Sequence, residues 1–443
     1  MSSEIPITEA SLDQRLRRAV PIALVVAVLA AFGAGAAGAD EHVLNGSFER
    51  SVAGWRGENA RVIRVAGGTV GSGAARVTAL RSGRAGARTV ALPATATGTE
   101  LTAQSWVRSR AGTRTLCLQL VEGAAPTGAR TCARIARGWR LLRFRYLTRT
   151  SGRQLLVRVS ASRLGRRGSF DMDGVSVVEP PPAMLLAAGD IASCSSSGDE
   201  ATAALLDRLP GTIAALGDLA YERGTAQEFG SCYAQSWGRL VARTRPTPGN
   251  HEYLTPGAAP YYAYFGAVAG TAGQGWYSYD LGSWHVVVLN SNCGPAGGCG
   301  AGSPQARWLR ADLAAHRTTC SLAYWHHPRF SSGLHGSDAT VTELWRAFQE
   351  GGGDVVLVGH DHHYERFAPQ TADGALDRTN GVREFLVGTG GRSHYPVLRT
   401  IANSEVHEEF TYGVLSLTLR SASYDWRFVP VAGSTFTDSG SAA

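Results

Sequence analysis

The chain has 443 residues, 44% of them hydrophobic and 18% charged, which supports more than one buried core and excludes a disordered or collagen-like composition. All 43 basic residues are arginine, and the net charge of +7 is unevenly divided: residues 41–182 carry 23 arginines against 8 acids, and residues 183–443 carry 17 against 24. A basic part followed by an acidic part predicts two units with different partners.

The first segment reads as a targeting sequence. Arg15, Arg17 and Arg18 precede an apolar run that ends in Ala37-Gly38-Ala39 before Asp40. A charged start, an apolar middle and a small-x-small end predict a signal peptide over 1–39, cut after Ala39. The run is nearly long enough to span a bilayer, so an uncut chain would keep it as a membrane anchor. Both readings put the rest outside the cytoplasm, secreted or associated with the cell wall. Seven cysteines suit that compartment. Cys117 and Cys132 stand alone in the first half and are expected to pair. Cys194 with Cys232 and Cys293 with Cys299 are candidate pairs that leave Cys320 over, and the sequence leaves this connectivity open.

Residues 43–178 consist of short alternating segments such as "ARVIRVAG", "LTAQSWVRS", "RTLCLQLVE" and "QLLVRVSAS", separated by Gly, Ser and Thr. That pattern predicts an all-β sandwich. Trp55, Trp106 and Trp139 fit its core better than a sugar-stacking surface. "EPPPA" over 179–183 is a stiff linker. From 184 to 433 the pattern changes to strands alternating with helices, which predicts a layered α/β fold. Strands are expected in "AMLLAAGD", "GTIAALGD", "CSLAYWHHP" and "DVVLVGHDHH". "DEATAALLDRL", "AQEFGSCYAQSWGRL", "SPQARWLRADLAAH" (capped by Ser303) and "VTELWRAFQEGG" read as helices. "WYSYDLGSWHVVVLNSN" reads as a hairpin turning at Leu-Gly-Ser. Residues 434–443 read as a frayed polar tail.

Several of these strands end in metal-ligand residue types. Asp190 closes "AAGD", Asp218 and Tyr221 lie in "LGDLAY", Asn250, His251 and Glu252 in "PGNHEY", His326 and His327 in "AYWHHP", and His360 to His363 in "VGHDHH". In open α/β sheets, ligands gather beyond the carboxyl ends of strands, so residues distant in sequence can converge there. Alternation along an extended chain would send His360 and His362 one way, and Asp361 and His363 the other. No GxSxG and no P-loop is present.

The ordered set "GD…GDLAY…GNHE…HHP…GHDHHYER" resembles the calcineurin-like metallophosphoesterase superfamily, and within it the purple acid phosphatases and their exported bacterial relatives. The resemblance implies a four-layer αββα sandwich and a two-metal site. Asp190, Asp218, Tyr221 and His362 would hold one ion; Asp218, Asn250, His326 and His360 would hold the other. A phenolate favours Fe(III), and the second ion would be Fe(II), Zn or Mn. The implied reaction is hydrolysis of phosphate monoesters by a metal-bound hydroxide, on phosphorylated small molecules. His251 and His335 would touch substrate. Ala192 stands where many superfamily members carry a histidine, which favours the tyrosine-bearing type. His327 and His363 read as outer neighbours, Asp361 as orienting an imidazole, and Gly388–Gly391 as a close approach or a turn. Alternatives are a phosphodiesterase acting on nucleotide, nucleic-acid or lipid diesters, and a wall-binding protein with a silent second domain.

"LNGSFERSVAGW" and "GSFDMDGVSV" resemble the terminal strands of jelly-roll carbohydrate-binding modules. The resemblance implies a structural calcium held by Glu49 and Asp173. The arginine excess in this domain suits an anionic cell-wall polysaccharide; no nucleic-acid recognition module is visible.

Overall fold

The computed structural model describes residues 41–443 except 96, 124–128, 151 and 317–319. The expected signal peptide, 1–39, lies outside the described residues. The first ten strands are β1 (Trp55–Glu58), β2 (Ala60–Ala66), β3 (Gly73–Ala79), β4 (Gly83–Thr89), β5 (Glu100–Ser109), β6 (Arg114–Glu122), β7 (Arg130–Ile135), β8 (Arg140–Leu147), β9 (Leu155–Leu164) and β10 (Ser169–Val178). They form two five-stranded sheets, β1-β4-β9-β6-β7 and β2-β3-β10-β5-β8. Period-2 patterning puts Ala85, Leu116 and Val157 of one sheet in a common core with Val77, Leu101 and Phe170 of the other. Cys117 and Cys132 face each other across β6 and β7 and are bonded. This region is the expected β-sandwich. Trp55 is buried against Phe48, while Arg108 lies over the Trp139 ring at 4.4 Å.

The second region contains β11 (Ala183–Ala188), α1 (Gly198–Leu206), β12 (Thr212–Leu216), α2 (Ala226–Ser231), β13 (Thr244–Thr247), α3 (Ala259–Phe265), β14 (Tyr277–Leu281), β15 (Trp284–Val288), α4 (Pro304–Ala315), β16 (Cys320–Tyr324) and α5 (Thr342–Glu350). It continues with β17 (Val355–Val358), β18 (Tyr364–Phe367), β19 (Arg383–Val387), β20 (Ser404–Glu408), β21 (Gly413–Leu419), β22 (Tyr424–Pro430) and β23 (Ser439–Ala442). One sheet runs β13-β12-β11-β21-β22-β23 and the other β14-β15-β16-β17-β19-β18-β20. The sheets share a core with each other, and α4 and α5 cover the outer face of the second, giving the expected four-layer α/β architecture. β15 shows why its sequence is apolar without alternation. Val286 and Val288 enter the core between the sheets, and Val287 enters the core beneath α4 and α5.

β11, β12 and β13 are mutually parallel, as are β15, β16, β17 and β19. Their carboxyl ends therefore lie at common edges, and the polar motifs follow those ends. Ser303 caps α4 by accepting the Ala306 N–H at 3.1 Å. The "AQEFGSCYAQSWGRL" segment is not one helix. α2 stops at Ser231, and short 3₁₀ turns follow from Cys232, which is bonded to Cys194. Cys293 and Cys299 form the third disulfide, and Cys320 is buried at the start of β16.

The C-terminal residues are not a frayed tail. β23 pairs with β22, and the preceding Asp438 is buried, accepting from Tyr364 Oη at 2.8 Å, Arg366 Nε at 2.6 Å and Trp426 Nε1 at 3.2 Å. A buried carboxylate with three donors overrides the local polar composition.

Candidate metal centre

Asp190 and Asp218 sit just beyond β11 and β12, and both have left-handed backbone, with φ of 60° and 50°. His360 shares that conformation at φ 73°. Such angles are costly for non-glycine residues and concentrate where side chains must converge. The glycines beside them are required by close approach. A Cβ on Gly217 would lie 2.6 Å from His326 Nδ1, and one on Gly249 would lie 2.1 Å from Asp218 Oδ1.

The side chains converge in two groups. Tyr221 Oη lies 3.0 Å from Asp190 Oδ1, 3.1 Å from Asp218 Oδ2 and 3.1 Å from His362 Nε2. His326 Nε2 lies 3.1 Å from Asn250 Oδ1, 3.2 Å from Asp218 Oδ2 and 3.2 Å from His360 Nδ1. Asp218 Oδ2 belongs to both groups. One phenol proton can satisfy one of its three acceptors, and the second group gathers lone pairs about a single imidazole nitrogen. Cations at the two foci would satisfy every donor atom, so the residues fit a metal pair sharing Asp218. Asp218, His326 and His360 also meet the geometric condition for holding one ion.

The electrostatics agree. Burial pushes the Asp218 carboxyl up, but the charges and hydrogen bonds of His326 and His251 outweigh it and hold the group well below the usual carboxylate range. Burial lowers His326, yet Asp218 overcomes this and raises it to about 9. Burial, then the neighbouring His326 and His327, keep His360 neutral, the form that ligates. Burial and the charges of Asp190 and Asp218 raise Tyr221 well above the ordinary tyrosine value. Only a cation would make it a phenolate at neutral pH.

The surrounding residues set these positions. Buried Glu252 accepts the backbone N–H groups of Asp218 (3.0 Å), Leu219 (2.8 Å) and Gly249 (2.7 Å), tying two ligand-bearing loops together. His251 Nδ1 lies 2.6 Å from the Glu222 carbonyl, and its ring packs 4.4 Å from that of Tyr221. His335 is exposed, with its ring 4.5 Å from that of His360. His327 Nδ1 is 2.8 Å from Ser291 Oγ, and His363 Nε2 is 3.1 Å from Glu365.

Two expectations change. β17 ends at Val358, so His360 and His362 are not delivered by strand alternation. The Asp361 N–H reaches the Gly359 carbonyl at 3.0 Å and the His363 N–H reaches the Asp361 carbonyl at 2.8 Å, two successive tight turns. Asp361 orients no imidazole. It accepts from Ser331 Oγ at 2.5 Å and from the N–H groups of His335 (2.8 Å) and Gly336 (3.1 Å), shaping the loop that bears His335.

The segment after Gly388–Gly391 was not singled out from sequence. Ser393 Oγ lies 2.7 Å from His362 Nδ1, and Tyr395 stacks on the His362 ring at 3.9 Å. Arg392 lies 5.2 Å over the Tyr221 ring and pairs with Glu222 at 2.5 Å. The available signal was position: β19 is parallel to β17, so its carboxyl end opens at the same edge. A cleft of about 550 Å³ lined by Ser193, Ser195, Tyr221, Glu222, Thr225 and Glu228 adjoins this edge.

In the first region, Glu49 and Asp173 meet at one loop. Asp173 accepts the N–H groups of Thr69 (2.6 Å) and Val70 (2.7 Å), and Glu49 those of Ser72 (3.1 Å) and Gly73 (2.9 Å).

Residues 177–364 match the family model for calcineurin-like phosphoesterases. The chain is 29% identical over 185 residues to an uncharacterized protein of Mycobacterium tuberculosis, covering 33% of this chain and 35% of the relative. It is 27% identical over 195 residues to purple acid phosphatase 18 of Arabidopsis thaliana, covering 40% of this chain and 42% of the relative. It thus spans well under half the length of these curated relatives. A purple acid phosphatase from yellow lupin (Lupinus luteus) seeds aligns over 81% of this chain and 72% of its own, at 15% identity and a TM-score of 0.49. All seven residues of the two donor groups fall inside the span that matches the calcineurin-like phosphoesterase model.

Proposed function

We propose that the protein is an exported dinuclear-metal phosphatase that hydrolyses phosphate monoesters. The observation that carries this reading is the sharing of Asp218 Oδ2 between two convergent donor groups. Asp190, Asp218, Tyr221 and His362 would hold a hard ion such as Fe(III); Asp218, Asn250, His326 and His360 would hold Fe(II), Zn or Mn. Bound there, the metal pair would acidify a water toward a pKa of about 7 and neutralise phosphoryl charge.

The chain's other residues handle substrate. His251 donates its Nδ1–H to the Glu222 carbonyl; as an imidazolium it would also present an Nε2–H to hold a phosphoryl oxygen or to protonate the leaving oxygen. His335, exposed with its ring 4.5 Å from that of His360, would also contact the phosphoryl group. Arg392 supplies a fixed positive charge for the same group, and Glu222 limits its reach. The leaving group, a small organic alcohol, would occupy the cleft beside Tyr221 and Glu222.

Three disulfides support the extracytoplasmic reading. The basic sandwich would hold the enzyme on anionic cell-wall polysaccharide. The monoester reading is tested by comparing turnover of a chromogenic phosphate monoester and its matching diester. A higher kcat/KM for the monoester is expected; a preference for the diester would make the protein a phosphodiesterase.

A further inference from the structure

We propose that His285, Asp312 and His316 form a separate mononuclear site for a divalent transition-metal ion such as zinc. His285 is the second residue of β15, whose other end leads to the phosphoesterase site. Five residues of extended chain separate it from Asn290, a span of about 16 Å. The His285 ring is buried, with Nε2 2.7 Å from Asp312 Oδ2. His316 follows the last residue of α4 and lies parallel to His285, with ring centres 4.4 Å apart. Its Nδ1 is 3.3 Å from the other oxygen of the same carboxylate, Asp312 Oδ1. One ligand atom from each of the three residues lies within 4.8 Å of the other two.

The outer neighbours are those of a metal site. His285 Nδ1 is 2.9 Å from Asp280 Oδ1, and Ser278 Oγ donates to Asp312 Oδ1 at 3.0 Å. A ligating imidazole ordinarily donates its second N–H to a carboxylate in this way. A plain imidazolium clamp between Asp280 and Asp312 would account for His285. His316 Nδ1 also donates to the Asp312 backbone carbonyl at 3.0 Å, a helix-end hydrogen bond that the ion would replace. Zinc takes nitrogen and carboxylate oxygen at about 2.0–2.2 Å in a tetrahedron. The His316 side chain, 46% exposed, can swing inward to close that distance. His316 also borders a cleft of about 440 Å³ lined by Ser321 and Glu350, which brings solvent to that side of the proposed site for a water as fourth ligand. On binding, the ion replaces the proton on His285 Nε2, which passes to solvent, while Nδ1–H stays on Asp280. His316 gives up its Nδ1 hydrogen bond to the Asp312 carbonyl, carries its proton on Nε2 instead, and binds the ion through Nδ1. The bound ion ties the end of α4 to β15.

The site is tested on the full chain, stripped with a chelator and dialysed against zinc. Metal content and thermal midpoint are compared for wild type, His316→Ala and Asp312→Asn. Wild type is expected to hold one zinc more per chain than either variant, and to show a zinc-dependent rise in Tm that His316→Ala lacks. Equal zinc content in wild type and His316→Ala overturns the site. That exposed substitution decides the matter even if Asp312→Asn fails to fold. The comparison does not depend on phosphatase activity, because the variants keep Asp218 and its partners.

Discussion

Asp218 is the residue on which both donor groups depend, and Glu252 is the residue on which Asp218 depends. Glu252 accepts four backbone N–H groups from the loops carrying Asp218 and Asn250, those of Asp218, Leu219, Ala220 and Gly249. Outer partners of this kind ordinarily support metal affinity by about 10–100-fold. Glu252→Ala is therefore expected to weaken metal binding by about that factor, read by titration of the stripped protein; unchanged affinity would remove Glu252 from the site. Arg392→Ala is expected to raise KM about tenfold, in line with about 1.5–3 kcal/mol for a hydrogen bond to a charged group. An unchanged KM would mean that Glu222 keeps the guanidinium from substrate. The candidate metal-holding residues were legible in sequence because most stand just beyond a strand or a glycine with a recognisable residue type. Glu252 was visible only as part of a motif, because its partners are backbone N–H groups from distant loops. Arg392 and Tyr395 were missed because nothing in "RSHYP" marks it as packing on His362 and Tyr221.

At the scale of elements, the alternation of strands and helices was readable, but boundaries set by tertiary partners were not. β23 is the clearest case, since Ser, Gly and Thr around Asp438 give no strand signal and the buried carboxylate supplies the reason to pair. Asp438→Ala leaves Arg366 and the Tyr364 hydroxyl without that acceptor and is expected to cost about 2–4 kcal/mol in denaturant unfolding; a loss below about 0.5 kcal/mol would make β23 dispensable. Asp354, just before β17, carries a pH dependence. Burial raises its carboxyl to about 6, with only the Ser321 N–H at 2.8 Å opposing. The folded state then binds more protons than the unfolded state between about pH 4 and pH 6, so this group's contribution to stability falls as pH rises across that window. Asp354→Asn is expected to match wild type near pH 4 and to exceed it by up to about 3 kcal/mol above pH 6. A constant difference across the range would place the ionisation elsewhere.

At the scale of the molecule, the charge asymmetry of the sequence follows the architecture, a basic region of two five-stranded sheets and an acidic α/β region. Not every arginine of the sandwich is available to a partner. Arg76 and Arg108 are bound to buried Asp171 at 2.8 and 2.9 Å. The remaining exposed guanidinium groups predict retention on anionic wall polymer that falls steeply between about 0.05 and 0.5 M salt; salt-independent retention would point to sugar contacts instead. The account's central claim is that the domain turns over phosphate monoesters through ions that share Asp218. The most direct measurement is kcat/KM for a chromogenic monoester on residues 40–443, chelated and then reloaded with Fe, Zn or Mn, beside Asp218→Ala. Turnover that requires added metal and falls by at least about 10³-fold in the variant is the predicted result. Turnover that survives chelation, or that Asp218→Ala leaves intact, would contradict it.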